Sequence, residues 1–191
     1  MIASECFTKK WINNLRKSFP KTDPILLEKN IYAFQLLGLL TYQPNTFIFK
    51  GGTSVMLHIQ ESKRLSIDVD VLGEFSDESF QEIIENTVFT DLKVDERKEK
   101  NIPKKHFKFF YKSDISNGIE SILLDTLKID NPYVKIVKKP IRHKVLKTQK
   151  NISVIVPTID GLTADKLTAF APKTIVITRL RQINGNNQTA D

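Results

Sequence analysis

Two carboxylates, Asp68 and Asp70, stand two residues apart in an otherwise apolar segment of this 191-residue chain. Because successive side chains of a strand point to opposite faces, the spacing predicts that both lie on one face. Magnesium binds a few carboxylate oxygens and completes its shell with water and substrate phosphate. A solvated edge is the ordinary place for such a pair, but carboxylates in an apolar strand are costly unless they are paired or metal-bound. The pair therefore predicts a divalent-metal site.

Two glycines precede these carboxylates by fewer than twenty residues. An apolar run before Gly51 predicts a buried strand, the glycines a tight turn, and residues 55–60 the opening of a helix. With no Cβ at Gly52, backbone N–H groups there and at Thr53 can approach an anion, and a helix N-terminus adds partial positive charge. The hydroxyls of Thr53 and Ser54 could bind phosphate or cap the helix. The segment therefore predicts a phosphate site beside the metal.

Two polar residues, Arg64 and Ser66, lead into the carboxylate pair and could orient either the carboxylates or a triphosphate. Together with the glycine segment 51–54, the pattern Arg64-x-Ser66-x-Asp68-x-Asp70 resembles the first motif of the polymerase-β-type nucleotidyltransferase superfamily. Within that superfamily it is most similar to the AbiEii/AbiGii toxin family.

Two later segments are similar to the same family. Asp125 lies in an apolar predicted strand, residues 122–129, and resembles the family's third acidic position. Asp130 is the alternative candidate for this third acidic position, although the Asn-Pro sequence that follows it is typical of a capping residue at a turn. The segment from Val156 to Pro172 resembles the helix that carries the family's lysine, here Lys166.

The resemblance implies an α+β fold, with a small mixed sheet flanked by helices, and magnesium-dependent transfer of a nucleotide from a nucleoside triphosphate. In toxin relatives the acceptor is RNA or protein, and a cognate antitoxin restrains the enzyme. Two metal ions would be shared by the carboxylates, Asp125 would help to deprotonate the acceptor hydroxyl, and Lys166 would reach the triphosphate. The implied residues are Asp68, Asp70, Asp125 and Lys166 for catalysis, the same three aspartates for metal, and Gly51, Gly52, Thr53, Ser54, Arg64, Ser66 and Lys166 for nucleotide.

The formal net charge is +7, and the positive charge is concentrated in one part of the chain. Between residues 98 and 150 there are 14 Lys or Arg and five Asp or Glu, and residues 135–150 contain no acid. Such a surface favours a polyanion such as RNA, although lysines also serve simply to solvate a surface. The predicted nucleic-acid contacts are Lys135, Lys138, Lys139, Arg142 and Lys144.

The resemblance implies one nucleotidyltransferase core, which we place at residues 46–175, with helices of residues 1–45 packed on it and a polar tail at 176–191. The predicted helices are residues 4–19, 25–42, about 77–86 and 162–171, and the predicted strands are 107–112, 119–129 and 152–156. The single cysteine, Cys6, excludes an internal disulfide, and the histidines form no metal or relay pattern. Neither a membrane span nor a secretory signal is evident, so we expect a cytoplasmic protein.

Two other functions stay open at this point. The family resemblance implies a helical C-terminal region with a further aspartate motif, which the polar tail does not resemble. A truncated, non-catalytic relative that binds nucleotide, RNA or a protein partner is therefore the alternative. A third hypothesis, transfer of the nucleotide onto a small molecule, has less support, because the basic segment favours a polyanionic acceptor.

Overall fold

A computed structural model describes residues 1–59, 64–85, 87–95 and 104–169 of the chain. The predicted polar tail, the end of the predicted core at residues 172–175, and the ends of three predicted helices, at residues 60, 86 and 170–171, lie outside these ranges. Within the described ranges, no helix is long and apolar enough to cross a membrane.

The described residues form helical segments first, then strands and helices in alternation, then five successive strands and a last helix. The helices are a 3₁₀ turn at Ser4–Phe7, α1 (Lys9–Ser18), α2 (Pro24–Leu40), α3 (Gly51–His58), α4 (Asp77–Glu85) and α5 (Ile159–Ala169). The strands are β1 (Ile48–Lys50), β2 (Val69–Leu72), β3 (Phe89–Asp95), β4 (Lys104–Lys112), β5 (Ile119–Leu127), β6 (Ile136–Pro140) and β7 (Ser153–Pro157).

Five of these strands form a mixed sheet in the order β1-β2-β5-β4-β3. β2 and β5 are parallel neighbours at its centre, and every other pairing in the sheet is antiparallel. β6 and β7 form a separate antiparallel ribbon, and β7 contacts β1. The parallel pair matters for function because it brings two strands that are distant in sequence to the same level of the sheet.

Helix α2 lies at the centre of the hydrophobic core. It is buried on almost all sides, including Ile31, Phe34 and Leu37, because its apolar residues are not confined to one stripe. Asp23 caps its N-terminus by accepting a hydrogen bond from Ile25 N at 2.8 Å, and proline occupies the first helical position. One face of the sheet packs on this core through residues such as Phe49, which is fully buried.

Several predicted elements are confirmed with small shifts in their ends. The predicted strands at residues 107–112 and 119–129 are observed as β4 and β5, which pair as an antiparallel hairpin, and Ser76 caps α4 by accepting a hydrogen bond from Ser79 N at 3.3 Å. The prediction of one continuous helix over residues 4–19 was wrong. Thr8 divides it, because its hydroxyl accepts a hydrogen bond from Trp11 N and starts a new helix there.

Two strands, β3 and β6, were missed in the sequence. β3 alternates charged and apolar residues without a turn signal on either side, and β6 lies inside the basic run that was interpreted as a charged surface. Neither pattern distinguishes an edge strand from a loop without its partner strand.

Candidate active site

The candidate site is a row of polar residues that crosses four strands of the sheet at one level. Lys50 of β1 pairs with Asp70 of β2, Asp70 with Asp125 of β5, and Asp125 with His106 of β4. Residues directly opposite one another on neighbouring strands project their side chains to the same face. Strand pairing alone therefore brings Asp70 and Asp125, which are 55 positions apart in sequence, side by side.

Asp125 is buried, and both of its carboxylate oxygens have partners. Oδ1 lies 2.6 Å from Nδ1 of His106, and Oδ2 lies 2.7 Å from Nζ of Lys104. Lys104 stands two residues before His106 on β4, so both side chains reach the same face. β4 therefore supplies the groups that hold the Asp125 carboxylate in place.

The two other carboxylates lie in a field of like charge. Burial raises the pKa of Asp70, the charges of Asp125 and Asp68 raise that pKa further, and Lys50 lowers it. Partial desolvation and the charge of Asp125 raise the pKa of Asp68, although its side chain is exposed. A cation bound among these carboxylates would relieve both the repulsion and the desolvation.

Both glycines leave space for the side chains of site residues. The expected tight turn before the helix was wrong, because the two glycines are the first residues of the helix. Helix α3 begins at Gly51 itself, not near Val55, because a single left-handed residue with φ of 77° redirects the chain. A Cβ at Gly51 would lie 2.1 Å from Oδ2 of Asp70, and a Cβ at Gly52 would lie 2.8 Å from Oγ of Ser66. The glycines let the carboxylate and the serine approach the start of the helix.

The loop that carries Ser66 and Asp68 is held from two sides. The Thr53 hydroxyl donates to the Asp68 carbonyl oxygen at 2.6 Å, and Asn30 of α2 donates its amide to the Ser66 carbonyl oxygen. Ser54 donates to the Gly51 carbonyl oxygen at 2.8 Å. The expected capping by Thr53 or Ser54 was wrong, because Lys50 is the N-cap residue of α3 and makes no side-chain cap bond.

The donor set suits magnesium better than a metal that needs many protein ligands. Among the described residues, no group of three or more His, Cys, Asp or Glu side chains is arranged to hold a metal ion. Magnesium needs only one or two carboxylates beside water and phosphate. Asp68 and Asp70 could hold such an ion, whereas each oxygen of Asp125, the third predicted ligand, already has one partner on β4 and keeps a second lone pair.

The remaining predicted residues lie around this row. Asp68 immediately precedes β2 and is not part of it, and Arg64 is exposed at the start of the same loop. Lys166 is exposed on α5, a helix that contacts α3. The fallback residue Asp130 is exposed beyond the end of β5, away from the paired level of Asp125.

A family profile described as "Nucleotidyl transferase AbiEii toxin, Type IV TA system" matches residues 40–183, which is more than half of the chain. The chain belongs to this AbiEii family. The resemblance predicted from the motifs is thereby confirmed, and so is the predicted fold class, a mixed sheet flanked by helices. No curated protein is significantly similar to the chain.

Two crystal structures from Helicobacter pylori are similar to this AbiEii-family chain. One is of JHP933, with 12% identity and a TM-score of 0.46 over 91% of this chain and 61% of that one. The other is of a proposed nucleotidyltransferase, with 15% identity and a TM-score of 0.47 over 74% of this chain and 56% of that one. The chain thus spans about three fifths of the length of either relative, and similarities of this size do not identify its activity.

The predicted nucleic-acid residues of this AbiEii-family chain are divided between two surroundings. Lys138 and Lys139 belong to β6, and their side chains alternate between its two faces. Arg142 donates to Asn151 Oδ1 at 2.7 Å, and the Lys144 ammonium lies 4.6 Å from the centre of the Phe19 ring. The basic run is therefore a ribbon followed by a loop that packs toward α1, and it does not form a single continuous strip.

Sequence reasoning missed Lys104 and His106. His106 is one of the histidines whose spacing indicates no metal or relay pattern, and Lys104 contributes only to the basic charge of the sequence. Their relation to Asp125 depends on the register between β4 and β5. The only clue in the sequence was the hairpin turn, whose length sets that register.

Proposed function

We propose that the chain is a magnesium-dependent nucleotidyltransferase that moves a nucleotide from a nucleoside triphosphate to an RNA acceptor, as the toxin of a toxin–antitoxin system. The observation that carries the proposal is the pairing of Asp70 with Asp125 across the parallel strands β2 and β5, beside the first residue of α3. Family membership supports the reaction class.

In the proposed reaction, the acceptor hydroxyl oxygen forms a bond to the α-phosphorus while the bond to the leaving pyrophosphate breaks. Asp68 and Asp70 would hold magnesium, which when bound supplies charge stabilisation to the phosphates. Asp125 accepts the proton of the attacking hydroxyl, and Lys104 and His106 keep that carboxylate oriented. Backbone N–H groups at the start of α3 and the Lys166 ammonium bind the triphosphate.

The chemistry can be tested by incubating the protein with each labelled triphosphate, magnesium and total RNA. Asp70→Asn and Asp125→Asn should each lower the rate of label transfer by roughly 100-fold or more. Asp130→Asn is the matched control, because this exposed aspartate follows the same strand without joining the row, and it should leave the rate unchanged. If all three variants transfer label at the rate of the parent protein, the assignment of Asp70 and Asp125 to catalysis is contradicted.

Lys166 can be tested separately by triphosphate binding. Lys166→Ala should weaken the affinity for magnesium triphosphates without changing the unfolding temperature, and Lys10→Ala on the exposed side of α1 is the control. An unchanged affinity in Lys166→Ala would remove this lysine from the proposed site.

For the acceptor, we propose that β6 and the following loop bind RNA phosphates. Replacing Lys138, Lys139 and Arg142 by alanine should flatten the slope of log affinity against log salt by roughly two to three units, because each phosphate contact releases counterions. Replacing Lys9, Lys10 and Lys17 of α1 removes equal charge elsewhere and should leave the slope largely unchanged. Equal RNA affinity and slope in the first variant would favour a protein or small-molecule acceptor.

One observation favours a second candidate function, a non-catalytic binding module. Because Lys104 and His106 already engage Asp125, its carboxylate could be a structural element of the sheet. Triphosphate binding that depends on Asp70 but gives no transfer to any RNA would support this candidate.

A further inference from the structure

The loop between β5 and β6 places Tyr133 against α5. The Tyr133 hydroxyl donates a hydrogen bond to Oδ2 of Asp165, and the Tyr133 ring lies 3.3 Å from the position of a Cβ built on Gly161. Gly161 and Asp165 are four residues apart, so they lie on the same face of the helix. One side chain therefore contacts two successive turns of α5.

The backbone around Tyr133 is held at both ends of this contact. Tyr133 N donates to Asn131 Oδ1 at 2.9 Å, which makes a local side-chain turn. Thr158 N, just before α5, donates to the Lys135 carbonyl oxygen at 3.2 Å. The loop and the start of the helix thus have a defined position relative to each other.

The surroundings of Tyr133 raise its pKa. Burial raises the pKa of Tyr133 most, followed by its hydrogen bond to Asp165 and the charges of Asp165 and Asp70. The hydroxyl therefore remains a protonated donor to Asp165. Lys166 is the next residue of the helix after Asp165.

We infer that Tyr133 is a positioning residue, which holds α5 through Asp165 and thereby sets the place of Lys166 on the helix that contacts α3. Rotation or sliding of α5 would move Lys166 away from a triphosphate bound at the start of α3. The inference deepens the proposed function and rests on its assignment of Lys166 to the triphosphate.

The test compares magnesium ATP, GTP, CTP and UTP binding to four single variants. Tyr133→Phe keeps the ring on Gly161 but removes the hydrogen bond, and it should weaken triphosphate affinity about 5-fold to 10-fold. Asp165→Asn keeps an oxygen that can accept from the phenol, so it should change affinity less than about twofold. Tyr42→Phe is the control, since this tyrosine is 57% exposed on another part of the chain. Lys166→Ala measures the loss of triphosphate affinity when the lysine itself is removed.

Two further readouts separate positioning from ordinary stabilisation. In a Lys166→Ala background, Tyr133→Phe should cause no additional loss of affinity, because it acts through Lys166. Amide hydrogen exchange in α5 should become faster in Tyr133→Phe, while exchange in α2 stays unchanged.

The outcomes distinguish this inference from the proposed function. If Lys166→Ala weakens binding but Tyr133→Phe does not, the inference is overturned and the proposed site stands. If the parent protein binds none of the four triphosphates, the proposed site fails and the inference fails with it. If Lys166→Ala binds them as tightly as the parent does, the assignment of Lys166 fails and so does the inference. If Tyr133→Phe weakens binding equally with and without Lys166, Tyr133 acts on the ligand by another route and the positioning role is rejected.

Discussion

Gly51→Ala is the substitution that most directly tests how the site is built. Gly51 has a left-handed φ of 77°, and a Cβ there would lie 2.1 Å from Oδ2 and 2.9 Å from Cγ of Asp70. Both the backbone conformation and the contact therefore exclude a side chain. We expect Gly51→Ala to lower stability and to displace the carboxylate that the proposed metal site needs.

The expected cost has two separable parts. An alanine in the left-handed region costs roughly 1–2 kcal/mol, and forcing a methyl group into an occupied space costs roughly 1–3 kcal/mol. The free energy of unfolding should thus fall by roughly 2–5 kcal/mol. In an Asp70→Ala background the clash with the carboxylate is absent and only the Cβ of residue 70, at 3.1 Å, remains, so Gly51→Ala should cost little more than the conformational part, about 1–2 kcal/mol.

Urea denaturation of the two single variants and the double variant measures both parts. Gly38→Ala is the matched control, because its new methyl group would meet Ile152 Cδ1 at an ordinary 3.6 Å inside α2 and should stabilise by about 0.5–1 kcal/mol. The reasoning is refuted if Gly51→Ala is as stable as the parent, or if its cost is the same with and without the Asp70 carboxylate.

Three further substitutions test the polar groups of the core and the sheet. Burial raises the pKa of Glu28, whose carboxylate accepts a hydrogen bond from Ser113 Oγ at 2.6 Å. The folded state therefore binds a proton more tightly than the unfolded chain does, and stability should fall as the pH rises above about 4.5. Glu28→Gln should flatten this part of the profile of melting temperature against pH. Burial lowers the pKa of His143 to about 4. Between pH 6.5 and 4 the unfolded chain binds a proton that the folded protein does not, so the free energy of unfolding should fall by up to about 3 kcal/mol as the pH falls through this range. His143→Phe should remove this loss. Lys104→Met removes the ion pair to buried Asp125 and should cost about 1–3 kcal/mol at pH 7 by urea denaturation, whereas Lys105→Met, at an exposed position, should cost less than about 0.5 kcal/mol. A Lys104→Met variant as stable as the parent would mean that His106 alone compensates Asp125.

The sequence by itself determined the local features of this protein. Helix α2 was predictable because Asp23 and Pro24 mark its start and its apolar residues continue for more than four turns. The β4–β5 hairpin was predictable because turn-forming residues separate two apolar strands. The motif around Asp68 and Asp70 also identified the family, which the profile match confirms.

Only the tertiary structure decided how these features meet. The parallel pairing of β2 with β5 sets Asp70 opposite Asp125, and the register of β4 then brings Lys104 and His106 to the same carboxylate. A one-residue change of register would turn each of these side chains to the opposite face, and no local pattern in the sequence excludes that change.

The same reason explains the errors at the glycines and in the basic run. Gly51 was interpreted as part of a turn because nothing nearby in sequence reveals the carboxylate that its missing Cβ accommodates. The basic run contained β6, whose existence depends on hydrogen bonds to β7, thirteen or more residues further along the chain. Residue types and their spacing indicate which chemistry a chain can support, but non-local pairing determines which of those residues come into contact.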